Sequence, residues 1–143
     1  MGKRIYIATS LDNSEQCIML WQALKVWKPD LDFTYEWYHA GKVDLARYAE
    51  VSALEYNGVI SADIFIMLCP GKKGSHTELG IALTTVPHVF VAGVKEELEP
   101  HATGYPSIFY YLPTVTRIEH DGTFDDLVAQ VKEAFSEKVY SKD

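Results

Sequence analysis

Residues 62–83, ADIFIMLCPGKKGSHTELGIAL, limit what this chain can fold into more than any other stretch. Ile64-Phe65-Ile66-Met67-Leu68 is a continuous apolar run of strand length, as expected of a strand buried on both faces of a parallel sheet. Pro70-Gly71 breaks it, and Lys72-Lys73-Gly74 carries the turn. Ser75-His76-Thr77-Glu78 fits the S-x-x-E helix-start pattern, with the helical run Leu79, Ile81, Ala82, Leu83 behind it. The stretch predicts a strand, a glycine loop and a helix N-terminus, and ligands of open α/β sheets bind beyond the carboxyl ends of such strands.

Glu78 carries two readings. As the third residue of a capping box it folds back onto the Ser75 amide and holds the helix start. As a carboxylate nucleophile it sits at a pocket rim, where the helix dipole favours its ionised form, and attacks a sugar carbon to give a covalent intermediate. The local pattern does not choose between them.

At 143 residues the chain has the size of one domain with a real core. Its 48% hydrophobic and 23% charged residues are those of a soluble globular protein. A net charge of −7, with 13 Lys and Arg, excludes a nucleic-acid polymer as partner but not a single nucleotide. No apolar run reaches the length of a membrane span. The stretch before the first strand is too brief for a signal-peptide core, and Tyr6 stands where a myristoylation signal needs Ser or Thr. Cys17 and Cys69 lie in apolar contexts and read as reduced thiols, so the expected location is cytoplasmic.

Taken in order, residues 4–8 predict a first strand, 15–27 a helix stopped by Pro29, and 31–37 an aromatic second strand. A long helix is expected over 43–60, weakened at Asn57-Gly58. Residues 88–92 read as a fourth strand, 93–106 as a long loop, 107–112 as a fifth, aromatic strand and 115–118 as an extended piece. A last helix spans 124–139, with Leu127, Val128, Val131 and Phe135 at helical spacing, and the final four residues are expected to fray. Alternating strands and helices give a single-domain, three-layer α/β/α sandwich around a five-stranded, mostly parallel sheet of flavodoxin or Rossmann type. Its strand ends bring together Tyr6 with Thr9-Ser10, residues 71–78, and the loop after the fourth strand.

These pieces resemble the nucleoside 2-deoxyribosyltransferase superfamily, which includes deoxynucleoside 5'-monophosphate N-glycosidases. The opening strand Ile5-Tyr6-Ile7-Ala8-Thr9-Ser10 is similar to the family's first motif. Glu55 stands eight positions before Asp63 of the Ala62-Asp63 pair that starts a strand, and Ser75-His76-Thr77-Glu78-Leu79-Gly80 matches x-x-x-E-[LI]-G. The likeness covers roughly residues 3–91, with three departures. Glu55 replaces the usual Asp, Thr9 replaces a glycine, and Asp12 stands where monophosphate-cleaving members have an arginine. An aspartate there would repel a 5'-phosphate unless Lys72 or Lys73 compensates.

The resemblance implies a retaining mechanism. Glu78 attacks C1' of the deoxyribose, Glu55 protonates or orients the leaving base or orients its partner carboxylate, and Tyr6 positions Glu78. Ser10, Gly71, Lys72, Gly74 and Ser75 line the sugar side, and Asp12, Trp37, Asp63 and Thr103 complete the expected substrate-binding set. The substrates implied are a small nucleoside or nucleotide and a free base, with no cofactor. The resemblance also implies a homodimer or higher homo-oligomer, with Thr103 or Tyr105 of the 93–106 loop reaching the adjacent site; a content of 13% aromatic residues fits such an interface.

Other motifs fall away. His76-x-Glu78 matches the H-x-E of zinc deaminases, but their P-C-x-x-C is absent, and no metal is expected. Residues 71–75 lack the order of a phosphate loop. Trp37-Tyr38 and Phe109-Tyr110-Tyr111 fit core or subunit interface, with a base-stacking wall, Trp37 its best candidate, as the alternative. Two other functions remain open: a nucleotide-sensing domain with Glu78 as a cap only, and an NAD-cleaving domain.

Overall fold

In a computed structural model that describes residues 2–141, five parallel strands form one sheet in the order β2-β1-β3-β4-β5. The strands are β1 (Arg4–Ala8), β2 (Asp32–Phe33), β3 (Ile64–Leu68), β4 (His88–Gly93) and β5 (Val115–Glu119). Helices α1 (Ser14–Trp27), α2 (Tyr48–Ile60), α3 (Lys73–Thr85), α4 (Lys95–Leu98) and α5 (Phe124–Lys138) connect and follow them. α1 packs beside α5 and α2 beside α3, so the three expected layers are present, and every strand pairing is parallel.

β3 is buried along its whole length, as its apolar run requires between two helical layers. It lies between β1 and β4, with Tyr6 opposite Phe65 and Met67 opposite Ala8. The chain steps from β1 outward to β2 and then back across to β3. This strand order has its topological switch point between β1 and β3, where an open α/β sheet forms a crevice at the carboxyl ends.

Three predicted elements differ. The second strand is only Asp32–Phe33: Thr34 gives its amide to Ile5, but its hydroxyl donates to the Gly58 carbonyl, and the chain leaves the sheet for a 3-10 turn at Trp37–Ala40. The expected fifth strand is a 3-10 turn, Ile108–Tyr111, because the Ser107 hydroxyl accepts the Phe109 amide and starts a helical turn. Only Tyr110 of that turn is buried, and the fifth strand is instead the β-branched Val115–Glu119. The long second helix begins with a separate 3-10 turn, Leu45–Arg47.

Candidate active site

α3 starts two residues before the expected cap. Ser75 lies inside the first turn, its hydroxyl accepting the Lys72 amide at 2.8 Å and donating to the Lys72 carbonyl at 3.0 Å. The Ser75–Glu78 capping box is therefore not formed. Glu78 sits in the second turn, facing inward and only 8% exposed. A carboxylate that deep needs partners. It has Tyr6, fully buried on β1, whose hydroxyl donates to Glu78 Oε2 at 2.6 Å. It also has Glu55, half-buried on α2, within hydrogen-bonding range.

Burial raises the Glu78 carboxyl far above the usual carboxylate range, and the neighbouring Glu55 pushes the same way, while the Tyr6 hydroxyl pulls it down. Burial and the Glu78 charge push Tyr6 up, so it stays a proton donor. The Tyr6 hydroxyl, donating to Glu78, favours its ionised form and so works against the burial that favours its protonated form.

The pair opens on a cleft between α2 and α3. A concavity of about 530 Å³ is lined by Ser52, Tyr56, Thr77, Ile81, Glu55 and Glu78. A second, of about 630 Å³, shares Ser52, Glu55 and Gly74 with it and extends past Tyr48 to Val43. Gly74 has open space where a side chain would stand, and so leaves the floor between them clear.

The remaining expected residues divide. Gly71 lies beneath α3, where a Cβ would come within 2.6 Å of Ser75 Oγ and 3.0 Å of Met67 Sδ, so only glycine fits the loop without a shift. Thr9 donates its hydroxyl to Leu68 O at 2.8 Å and ties the β1 loop to the end of β3. Ser10 is buried next to it, and its hydroxyl makes no hydrogen bond among the described residues. Lys72 and Asp12 form an exposed ion pair at 2.6 Å across the same two loops, and Lys72 holds the Asp12 carboxyl below its ordinary value. Ser75 uses its hydroxyl on the Lys72 backbone instead of facing the cleft.

Three of the expected residues lie away from this cleft. Asp63 lies just ahead of β3, at the amino end of the sheet, and its carboxylate accepts the Arg4 amide at 2.9 Å; it is a strand-entry clamp at the end opposite Glu78. Trp37 is 9% exposed and donates its indole N–H to the Ile7 carbonyl at 2.7 Å, so it closes the core and does not form an open stacking wall. Thr103 is exposed in the loop before β5, with its hydroxyl 3.2 Å from His101 Nδ1, and lines neither concavity.

The structure also brings in Tyr48, Ser52 and Tyr35, which the expected set lacked. Tyr48, Ser52 and Glu55 lie four and three residues apart on α2 and therefore share a face. That spacing was a readable signal. Tyr35 stands near Glu55, whose charge helps raise its hydroxyl after burial. Among the described residues no group of three or more His, Cys, Asp or Glu is placed to hold a metal ion, and no helix is long and apolar enough to cross a membrane.

No family model matches the chain, and no curated protein does. Solved structures do match. The CMP N-glycosidase BcmB of Clostridium botulinum superposes with a TM-score of 0.63 at 16% identity, covering 91% of this chain and 99% of its own. The solution structure of BlsM gives a TM-score of 0.62 at 12% identity, covering 95% of this chain and 93% of that one. The chain has the fold of these two proteins. The resemblance read from the sequence is thus borne out at the level of fold, over nearly the full length.

Proposed function

We propose that this chain cleaves the N-glycosidic bond of a 2'-deoxynucleoside and transfers the deoxyribosyl group to a second base through a covalent intermediate on Glu78. The observation that carries the reading is the buried Tyr6–Glu78–Glu55 contact at the mouth of the α2–α3 cleft. Tyr6 occupies Oε2, which leaves Oε1 to attack C1'. As the C–O bond forms, the C1'–N bond breaks, its electron pair stays on the base, and Glu55 supplies the proton the base takes up. In the second half Glu55 removes a proton from the incoming base, whose nitrogen attacks C1' and releases the Glu78 carboxylate. Inverting hydrolysis needs carboxyls about 6.5–9.5 Å apart, with a water held between substrate and base. Two carboxyls in hydrogen-bonding range favour the covalent route. The concavity beyond Glu55, with Tyr48 as its aromatic wall, suits the leaving base.

A second reading has a specific observation behind it. One fold neighbour is a CMP N-glycosidase of nearly the same extent, and Lys72 lies one helix turn and a half before Glu78. With water as acceptor the same residues would hydrolyse a deoxynucleoside 5'-monophosphate. Incubation with a deoxynucleoside and a different free base separates these readings. Base exchange is expected, free base without exchange moves the chain to the hydrolases, and no turnover on nucleosides or monophosphates leaves a sensor.

The working form is proposed to be a homo-oligomer. Leu45, Tyr48 and Tyr56 beside the cleft, and Ile108 and Phe109 on the 3-10 turn, are exposed at 80, 57, 49, 78 and 54%. Apolar side chains at that density mark association surfaces. Light scattering at micromolar concentration tests it, and a fully active monomer refutes it.

A further inference from the structure

Gly58 lies near the end of α2, inside the helix, where glycine costs about 1 kcal/mol relative to alanine. The space around it explains why a helix would carry that cost. A Cβ at 58 would stand 3.0 Å from Tyr35 Cβ, 3.1 Å from Tyr6 Cε2 and 3.2 Å from Tyr6 Cδ2. Other helical glycines differ: Gly74 and Gly80 in α3 have nothing within 4 Å of the same position. The Tyr6 ring has little room to retreat. The Tyr6 ring is fully buried, stacked 6.1 Å from Phe65 and edge-on to Phe33 at 5.8 Å. The Gly58 carbonyl is held by the Thr34 hydroxyl at 2.7 Å and the Ser61 hydroxyl at 3.3 Å, which fixes α2 at this level.

We propose that Gly58 is a positioning residue for the nucleophile: its missing side chain seats the Tyr6 ring against α2 at the depth where the Tyr6 hydroxyl meets Glu78. This rests on reading Glu78 as the nucleophile. The same helix carries Glu55, less than one turn before Gly58, so one approach of α2 to the β1 ring sets both of the contacts that Glu78 makes. Any side chain at 58 drives the ring and the helix apart. The hydroxyl then leaves a 2.6 Å bond for which a few tenths of an ångström matter.

The test follows the Glu78 carboxyl itself by carbon NMR on side-chain-labelled glutamate as pH is varied. Because the Tyr6 bond holds this carboxyl down, Gly58→Ala is expected to move its titration upward, in the direction and to about the extent of Tyr6→Phe. In the double variant the second change adds no further shift, since the interaction is already gone. With turnover as a second readout, kcat falls roughly tenfold or more in Gly58→Ala while KM changes little, as misplacement at a reacting group does. An unmoved Glu78 titration in folded Gly58→Ala, or additive shifts in the double variant, overturns the proposal. Should Gly58→Ala not fold, Gly58→Ala with Tyr35→Gly removes the 3.0 Å contact and keeps the one to Tyr6, and an unmoved titration there overturns it equally. Absence of turnover in the unmodified protein sinks the functional reading instead, and leaves the titration to decide this one.

Discussion

β3 has an acidic side chain beyond each of its ends, and the two behave as opposites. Asp63, at the entry, stays partly exposed and accepts one backbone amide. Glu78, ten residues past the exit, is buried, in contact with another carboxyl, and held by one phenol. The first is held by a backbone amide, whereas burial and a second carboxyl favour the protonated form of the other, with the Tyr6 hydroxyl pulling the opposite way. Sheet direction decides which is which. At the amino ends a carboxylate completes a strand ladder, and at the carboxyl ends the loops splay open and leave room for a substrate. A buried carboxyl raised this far beside a second carboxyl, in a cleft, is a candidate for chemistry.

The comparison breaks most sharply through rate. Glu78→Gln keeps the size and the Tyr6 bond but removes the nucleophile, and is expected to lower turnover by roughly three or more decades. Asp63→Asn should leave turnover within about twofold, since it touches neither cleft nor pair. Near-normal activity in Glu78→Gln ends the nucleophile assignment, and an adduct on Glu78 trapped with a 2-fluoro analogue is the expected positive result.

Tyr6→Phe comes next. Removing the hydroxyl takes away the bond that favours ionised Glu78, so the acid limb of the pH–rate profile should move to higher pH, with kcat lower by roughly tenfold to a hundredfold. A Tyr6→Phe profile that overlays the original would show that Tyr6 only fills space.

How far the sequence reveals this contrast depends on the residue. β3, α3 and the outer helices follow from apolar runs, helical spacing and breakers, which are local signals. Tyr6, Glu55 and Glu78 could be placed together only through motif order, because their contact is made across 72 residues of chain between Tyr6 and Glu78. Spacing placed Asp63 beside Glu55 in the motif, yet eight residues carry the chain from the cleft to the opposite sheet end. Aromatic content left one choice open and misled once. Trp37 finds a buried carbonyl for its N–H, which no composition foretells, and the aromatic run at 107–112 follows the Ser107 cap into a helical turn and never reaches the sheet.

The same contrast should appear in stability. Burial and Glu55 raise the Glu78 carboxyl from the ordinary 4.5 to about 9. Between those values the folded chain keeps a proton that the unfolded chain has lost, so stability falls as pH rises through that window. Glu78→Gln cannot ionise and should remove the slope, stabilising the fold by several kcal/mol at pH 8, read as a clear rise in Tm, with no gain at pH 4. A variant equally stable to the unmodified protein at both pH values contradicts a strained carboxyl. Asp63→Asn should give no such gain at alkaline pH.

The smallest effect lies at the rim, where the Asp12–Lys72 pair bridges the loops after β1 and β3. Both side chains are exposed, so the pair is screened and holds the loops weakly. Its consequence is for specificity: Asp12 occupies Lys72, a cation placed between the two loops where a 5'-phosphate would seek one. Deoxynucleosides are therefore expected to bind at least as well as their 5'-monophosphates. Asp12→Asn frees Lys72 and should shift the preference toward the monophosphate by a few-fold, an advantage that fades with added salt as screening of exposed charges requires. Lys72→Ala should not produce that shift, because the cation is lost along with its partner. Competition binding at two ionic strengths measures all three proteins. If the unmodified chain already prefers the monophosphate, and that preference vanishes when Lys72 and Lys73 are both replaced by alanine, then Asp12 does not guard the rim, and phosphate recognition by this loop is part of the normal reaction.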